Sequence, residues 1–416
     1  MERLKNKVIF FCFPYREVGG VSLLFLRMAE YLAGKIPNEI YIVDYADGYM
    51  ATHRKSAQVK LLEYKDDLEV VIPDNGILVL QAMTPWSIYS SLRPLDGCKL
   101  FFWNCYPYNL VPAIPGLRNW LHGSETRIIF FLNSILFAYK LRVVRFLKLL
   151  LKYDAIAFMD RVNLDTTERI FGVNCDKREY LPVTLQGVDE ICDLEVRNVR
   201  SPLRAAWIGR IADFKVHILL YTMRKMAHLA MEQERVIEFT VVGRGEYLYL
   251  IQEANLENNF FKVRYISELT TSEVEKFLRD EVDVLFAMGT SALEGARMGV
   301  PTVLLDISYV PITGDYVYQF LFEQDGYVLG DVINGNSFTS GNQSLSKVIA
   351  ALDQNYALLC KKSYNYFEKN HSIDSAAEKL IDCLERDKLA FSVLKGHKVL
   401  SQPLSYRLLR YLRARV

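Results

Sequence analysis

Short apolar runs alternate with helix-period segments along the whole chain. Lys7–Cys12 reads as a strand, Gly19-Gly20 follows it, and apolar residues then recur at helical spacing from Val21 to Leu32. Further strands are predicted at Glu39–Asp44, Ile77–Gln81, Lys99–Trp103, Arg127–Phe131 and Ala155–Phe158, with Arg178–Leu181 closing the sheet. A polar stretch from Gln186 to Ser201, followed by Pro202, interrupts the pattern. The alternation then restarts, with strands expected at Arg204–Ile208, Val236–Val242, Lys262–Ile266, Val282–Phe286 and Thr302–Leu305. Helical segments fall near Val216–Met231, Glu246–Ala254, Ser272–Arg279 and Ser291–Met298. Strands this rich in Val, Ile and Phe, separated by helices, predict parallel sheets covered on both faces. The expected fold is α/β, with two doubly wound domains facing a cleft. Residues 1–185 form the first, 186–202 a linker, 203–370 the second, and 371–416 a C-terminal helix with a basic amphipathic tail. Ligands of such sheets bind at the carboxyl ends of the strands, where the strand order reverses.

Composition narrows the function classes. A chain of 416 residues exceeds what one core usually serves. At 51% hydrophobic and 24% charged residues, disorder is excluded as the dominant state. With 50 Lys+Arg against 49 Asp+Glu, the net charge of +1 argues against a dedicated nucleic-acid binder. Seven cysteines without a CxxC pair signal neither a disulfide framework nor a zinc site, so a reduced, cytoplasmic setting is expected. The N-terminal apolar run is only strand-length, so no export signal is read there. Ile128–Lys152 comes nearest to a spanning segment, but Lys140, Arg142, Arg145, Lys148 and Lys152 make it too charged.

The second half carries the candidate chemistry. Its first strand runs into Gly209-Arg210-Ile211-Ala212-Asp213-Phe214-Lys215. A glycine at a strand end lets backbone approach a ligand, and two cations on the following loop can hold a diphosphate. The plainer reading is a solvated basic loop. Val284–Ala287, Met288-Gly289 and Thr290-Ser291-Ala292-Leu293-Glu294 form a strand, a small-residue turn and a helix start. The N–H groups of such a start bind phosphate, with Thr290 or Ser291 as N-cap. Glu294 can accept from ribose hydroxyls; alternatively it is the capping-box partner of Ser291, three residues before it.

Taken together, these segments resemble the two-domain GT-B glycosyltransferases of the group-1 or family-4 type, over nearly the whole chain. Gly19-Gly20-Val21-Ser22 looks like the family's glycine loop, and GRIADFK like its Gly-Arg-x4-Lys pattern. VVGRGE at 241–246, with Gly243, looks like its Gly-x-Gly turn, and SALEGARMGVPTVLLD at 291–306 like its signature helix and strand. Asn370-His371-Ser372 looks like its closing segment. The resemblance implies two Rossmann-like domains and a sugar transferred from a nucleotide diphosphate sugar. It places Arg210 and Lys215 on the diphosphate, the backbone at Gly209, Gly289, Thr290, Ser291 and Ala292 beside it, and Glu294 on the ribose. Gly19 and Gly20 would border the donor phosphate from the other domain. Backbone near Val263–Ser267, Ile266 included, would meet the base. Two departures stand out. No acid lies between Ala287 and Thr290, where the family usually has a glutamate. Where members often carry a His, the chain has Phe102-Trp103-Asn104-Cys105-Tyr106-Pro107-Tyr108-Asn109, of which Asn104 and Asn109 are acceptor-side candidates for sugar hydroxyls.

Other chemistries fit less well. Gly243-Arg244-Gly245 lacks the third glycine of a dinucleotide fingerprint, since Leu248 stands there. There is no DxD at a strand end, so no metal and no cofactor beyond the donor are expected. Asp280, Glu281 and Asp283 read as a solvated helix end, and His53, His122, His217, His228, His371 and His397 show no ligand spacing. Two basic amphipathic segments remain. Ile135, Leu136, Tyr139, Val143, Phe146, Leu147 and Leu150 share one helical face, with cations on the rest. The tail Phe391–Val416 has Lys395, Lys398, Arg407, Arg410, Arg413 and Arg415, no acid, and Leu404, Leu408 and Leu412 in line. Such segments suit an anionic membrane surface, or a helix packed on its own domain. The expected enzyme thus moves sugar to a glycan or lipid-linked acceptor in surface polysaccharide synthesis, in the cytoplasm and peripherally on the inner face of the membrane. The rivals are a nucleotide-sugar epimerase of the same fold and a non-catalytic partner subunit.

Overall fold

The computed structural model describes residues 4–114, 124–188, 194, 198–333 and 343–413, with residues 412 and 413 in backbone only. His122, much of the expected linker and the end of the basic tail lie outside the described residues. The chain divides into two compact units, residues 1–184 with 376–416, and residues 185–375.

In chain order, the first unit holds β1 (Val8–Cys12), α1 (Gly20–Ala33), β2 (Glu39–Asp44), α2 (Tyr49–His53), β3 (Val59–Glu63), β4 (Val70–Ile72), β5 (Gly76–Gln81), β6 (Leu92–Pro94), β7 (Lys99–Asn104), α3 (Glu125–Asn133), α4 (Phe137–Lys152), β8 (Ile156–Phe158) and α5 (Arg161–Phe171). The second holds β9 (Leu203–Ile208), α6 (Asp213–Glu232), β10 (Ile237–Val242), α7 (Leu248–Glu253), β11 (Phe261–Ile266), α8 (Thr271–Glu281), β12 (Val284–Ala287), α9 (Thr290–Arg297), β13 (Thr302–Leu304), β14 (Gln319–Phe320) and α10 (Leu345–Asn370). After α11 (Ile373–Arg386) come α12 (Phe391–Gly396) and α13 (Leu404–Arg413).

The first sheet has the order β3-β2-β1-β5-β7-β8, all parallel. Its central strands bury both faces. Phe10, Leu78, Leu80, Leu100 and Phe102 point into one core, and Ile9, Phe11, Ile77, Val79, Phe101 and Trp103 into the other. The second sheet has the order β11-β10-β9-β12-β13-β14, parallel except for the antiparallel edge strand β14. In each sheet the order reverses beside the first strand: between β1 and β5, and between β9 and β12. This is the doubly wound arrangement expected from the alternation of strands and helices.

Three expectations change. Residues 127–131 are helical, not a strand: Ile128, Phe131 and Leu132 are the buried positions of α3 and lie at helical spacing. The apolar run Ile128–Leu132 hides that period. Around Arg178–Leu181 only Tyr180 bridges Phe158, so this segment ends the sheet edge without forming a strand. The edge strand β3 was not expected, because only Val59 among its five residues is buried and its polar residues blur the alternation.

The C-terminal helix belongs to the first unit. Ala376, Ala377, Leu380, Cys383 and Leu384 of α11 join the core formed by α1 and one face of the first sheet. Leu380 is fully buried. Leu380→Ala is expected to lower stability by about 2–5 kcal/mol, the range for a deleted core side chain that leaves a cavity. The midpoint of chemical unfolding, followed in the first unit through the buried Trp103, measures it.

Candidate functional site

The site is built on the carboxyl ends of β9, β10, β11 and β12. Gly243, with φ +144°, follows β10, and its N–H donates to the Ile266 carbonyl at the end of β11, at 2.8 Å. A Cβ on Gly243 would collide with the carbonyl oxygen of Gly209, and one on Gly245 with that of Ile211. Glycine is therefore required for the loops after β9 and β10 to touch backbone to backbone. Gly209 N–H donates to the Val242 carbonyl at 2.9 Å and Ile211 N–H to the Arg244 carbonyl at 3.0 Å, which fixes the β9 loop.

That loop leads into α6 with Lys215 in its first turn. Helix starts disfavour cations, because the N–H dipoles there already present positive charge. Lys215 is also half-buried, and neither it nor the exposed Arg210 pairs with a carboxylate among the described residues. The Nζ lies 5.9 Å from the centre of the Trp207 ring and 5.6 Å from that of Phe214. Burial pulls the Lys215 ammonium below its ordinary value, and the Arg210 charge adds to the shift. Like charge gathered at a strand end makes this loop a candidate site.

Across the reversal of strand order lies α9. The structure puts its N-cap at Gly289, φ +63°, rather than at Thr290 or Ser291, and no side chain caps it. The N–H groups of Thr290 and Ser291 thus open the helix without an intrahelical acceptor, while Ala292 N–H donates back to Gly289 at 3.1 Å. Gly209 is the meeting point. Lys215 Nζ and Ser291 Oγ each lie 3.6 Å from where a Cβ on Gly209 would stand. An ammonium, a hydroxyl and a helix start thus surround one bare stretch of backbone. This arrangement suits an anion such as a phosphate.

Glu294 does not cap Ser291. Its Oε2 accepts from Arg297 Nε at 2.6 Å. Arg297 is buried and reaches Glu275 as well, at 2.9 Å. The guanidinium thereby fixes one carboxylate oxygen of Glu294 and leaves the other with no partner among the described residues. An i,i+3 Glu–Arg pair was readable from the sequence. A second supporting loop was not. Gly289 N–H donates to the Leu329 carbonyl at 2.6 Å, and Asp331 N–H donates to Asp306 Oδ1 at 2.9 Å. Tyr316 OH holds the other Asp306 oxygen at 3.0 Å. The only signals for this loop were the turn residues Asp325-Gly326 and Gly330.

The remaining candidates lie in the first unit. Gly19 is the N-cap of α1, and its carbonyl accepts from the Ser22 hydroxyl at 2.9 Å and from Leu23 N–H at 3.0 Å. The loop before it is anchored by Asp44, whose buried carboxylate accepts from the N–H groups of Tyr15, Tyr45, Met50 and Ala51. Burial raises the Asp44 pKa, and these four hydrogen bonds oppose the rise. Asn104 is buried and donates to Thr167 Oγ1 at 3.3 Å, while accepting from Asn109 Nδ2 at 3.3 Å. Gln81 donates to Asn109 at 3.2 Å. Asn104 is thus tied into the interior, and Asn109 is the more accessible of the two. Asp283 is buried against Arg204 N–H, at 2.9 Å, and Glu281 pairs with Arg264 at 2.8 Å. No group of carboxylates, His and Cys able to hold a metal occurs among the described residues. No disulfide joins the described cysteines.

A cavity of about 350 Å³ opens elsewhere in the first unit, between α4, the start of β8 and α11. Two ion pairs line it, Arg386 with Glu179 at 2.5 Å and Lys177 with Asp154 at 2.9 Å, together with Lys148, Lys152 and Asp176.

No protein-family model matches the chain, and no curated protein sequence matches it. Solved structures do. A trehalose-6-phosphate structure from E. coli bound with UDP-2-fluoro glucose aligns with a TM-score of 0.51 and 10% identity, over 91% of this chain and 99% of that one. The trehalose-6-phosphate synthase OtsA aligns over the same shares at 0.50 and 10%. WaaG, a glycosyltransferase involved in lipopolysaccharide biosynthesis, aligns at 0.47 and 12%, again over 91% and 99%. The fold is that of GT-B glycosyltransferases, with two Rossmann-like units.

The lowered Lys215 pKa gives the site a pH signature. Below its ordinary value of 10.5 the unfolded chain keeps the proton, and the folded protein loses it first. A bound phosphate draws the proton back. Nucleoside diphosphate affinity is therefore expected to fall as pH rises through the lowered pKa, with proton uptake on binding. Lys215→Arg, charged throughout, is expected to flatten the profile. Calorimetry in buffers of different ionisation enthalpy checks both.

Proposed function

We propose that the chain is a glycosyltransferase of the group-1 or family-4 type. It transfers a sugar from a nucleotide diphosphate sugar to a glycan or lipid-linked saccharide, in surface polysaccharide synthesis. The observation that carries this reading is the pairing across Gly209. A half-buried lysine with no carboxylate partner among the described residues stands beside the open start of α9, where the strand order reverses.

In this reading the bond from the anomeric carbon to the diphosphate breaks, and its electron pair goes to the phosphate oxygen. The acceptor hydroxyl forms the new bond and gives up its proton. Negative charge grows on the leaving diphosphate, where Arg210, Lys215 and the N–H groups of Thr290 and Ser291 stabilise it. Glu294, held by Arg297, offers its free oxygen to the ribose hydroxyls. Backbone at Gly243 and Ile266 lies on the base side. Two fixed cations on the diphosphate make a divalent metal unnecessary. The lipid-linked acceptor places the enzyme peripherally on the inner face of a membrane. Among the described residues no helix is long and apolar enough to cross one.

The test is incubation with a panel of nucleotide sugars and a lipid-linked acceptor extract. Transfer that survives EDTA is expected. Arg210→Ala and Lys215→Ala are each expected to raise the barrier by about 2–4 kcal/mol, as loss of a fixed transition-state donor does. Sugar interconversion without acceptor, or full activity in both folded variants, contradicts the assignment.

A further inference from the structure

The apolar stripe that the sequence shows on α4 is not free. Tyr139, Val143, Phe146, Leu147 and Leu150 are buried in the first unit's core. A second apolar set faces outward instead. Phe130 on α3 is 68% exposed, Ile135 after it 55%, and Phe137 and Leu141, one turn apart on α4, 53% each. On α13, Leu404, Leu408 and Tyr411 fall at i, i+4 and i+7 and are 80%, 59% and 54% exposed. Tyr406 turns the other way, its ring 4.8 Å from that of Tyr139. Arg142 fastens the same two segments by donating to Ser401 Oγ at 2.6 Å.

Single exposed apolar residues need no explanation, but a set this large on adjoining helices does. The charge on these helices is almost all of one sign; the exception is Glu125 at the start of α3, which pairs with Arg169 at 3.0 Å. No Asp or Glu occurs between residues 126 and 153, and none follows Asp387. Lys140, Arg142, Arg145 and Lys148 stand on α4, and Arg407 and Arg410 on α13. An interface with a second copy of this face would set these cations against each other. An anionic bilayer complements both features, taking apolar side chains into the headgroup boundary and cations onto its phosphates.

We propose that the outward faces of α3, α4 and α13 form the surface by which the protein docks on an anionic lipid bilayer. This deepens the membrane-peripheral reading given above by assigning the face responsible. The apolar side chains enter the interface and the flanking cations hold it reversibly, in a salt-dependent way.

Flotation tests it, using vesicles of phosphatidylcholine alone and of phosphatidylcholine mixed with an equal part of phosphatidylglycerol. The full chain is expected to float with the mixed vesicles, to be released by high salt, and to stay behind with the neutral ones. Phe137→Glu with Leu141→Glu, and Leu404→Glu with Leu408→Glu, are each expected to lower vesicle affinity by about tenfold or more. Their melting temperatures and nucleoside diphosphate binding should match the parent. Val310→Glu, at an equally exposed apolar position in the other unit, is expected to float like the parent. If the parent floats and both double variants float equally, the face is wrong and the membrane reading stands. If the parent floats with neither vesicle, both fall. Equal flotation with both vesicles overturns the charge complementarity. A concentration-dependent dimer in sedimentation, lost in the double variants while flotation is absent, makes the face an interface between copies and overturns the proposal.

Discussion

The candidate site depends on the contact between the loops that follow β9 and β10. There, Gly243 and Gly245 lie against the carbonyl oxygens of Gly209 and Ile211, with no room for a Cβ at either position. The contact holds the β9 loop down on its neighbour and so decides where α6 begins. The start of α6 decides where Lys215 stands. With the loop lifted by one methyl group, the Nζ of Lys215 would no longer meet Ser291 over Gly209. Two glycines, through the absence of their side chains, thus position a charge that lies on a different element.

The charge itself is held at a cost. Lys215 is half-buried at the start of a helix that disfavours it, with the Arg210 charge nearby. Arg297 shows the contrasting solution in the same unit, buried but paired with both Glu275 and Glu294. Among the described residues no carboxylate pairs with Lys215, although Asp213 stands in the same turn of α6. A phosphate would supply the missing partner. In the first unit a carboxylate at the end of the second strand plays a structural part instead. Asp44 gathers four N–H groups and shapes the loop before Gly19, without facing a ligand charge of its own.

Much of this was legible in the sequence, and the failures have identifiable causes. Strand-end glycines and buried strands announce themselves through composition and period, so β9 to β13 and the placement of Arg210, Lys215 and α9 could be read directly. α3 was misread because Ile128–Leu132 is continuously apolar, which erases the difference between a period of two and one of 3.6. Glu294 was read as a ribose contact or as the capping partner of Ser291; Arg297, three residues the other way, was overlooked, and only the rotamer shows that it takes the carboxylate. The support of Gly289 by Leu329, and of Asp331 by Asp306, joins segments distant in sequence and leaves no local pattern. On α4 the stripe of Tyr139, Val143 and Phe146 has the same spacing whether it meets a core or a membrane. The structure gives it to the core and leaves Phe137 and Leu141 outside.

A crystal structure of the protein with a nucleoside diphosphate bound tests the central claim most directly. The account predicts the diphosphate over Gly209, in contact with Lys215 Nζ, the Arg210 guanidinium and the N–H groups of Thr290 and Ser291, with the ribose hydroxyls on the free oxygen of Glu294. A diphosphate bound elsewhere, with Lys215 still unpaired, would contradict it.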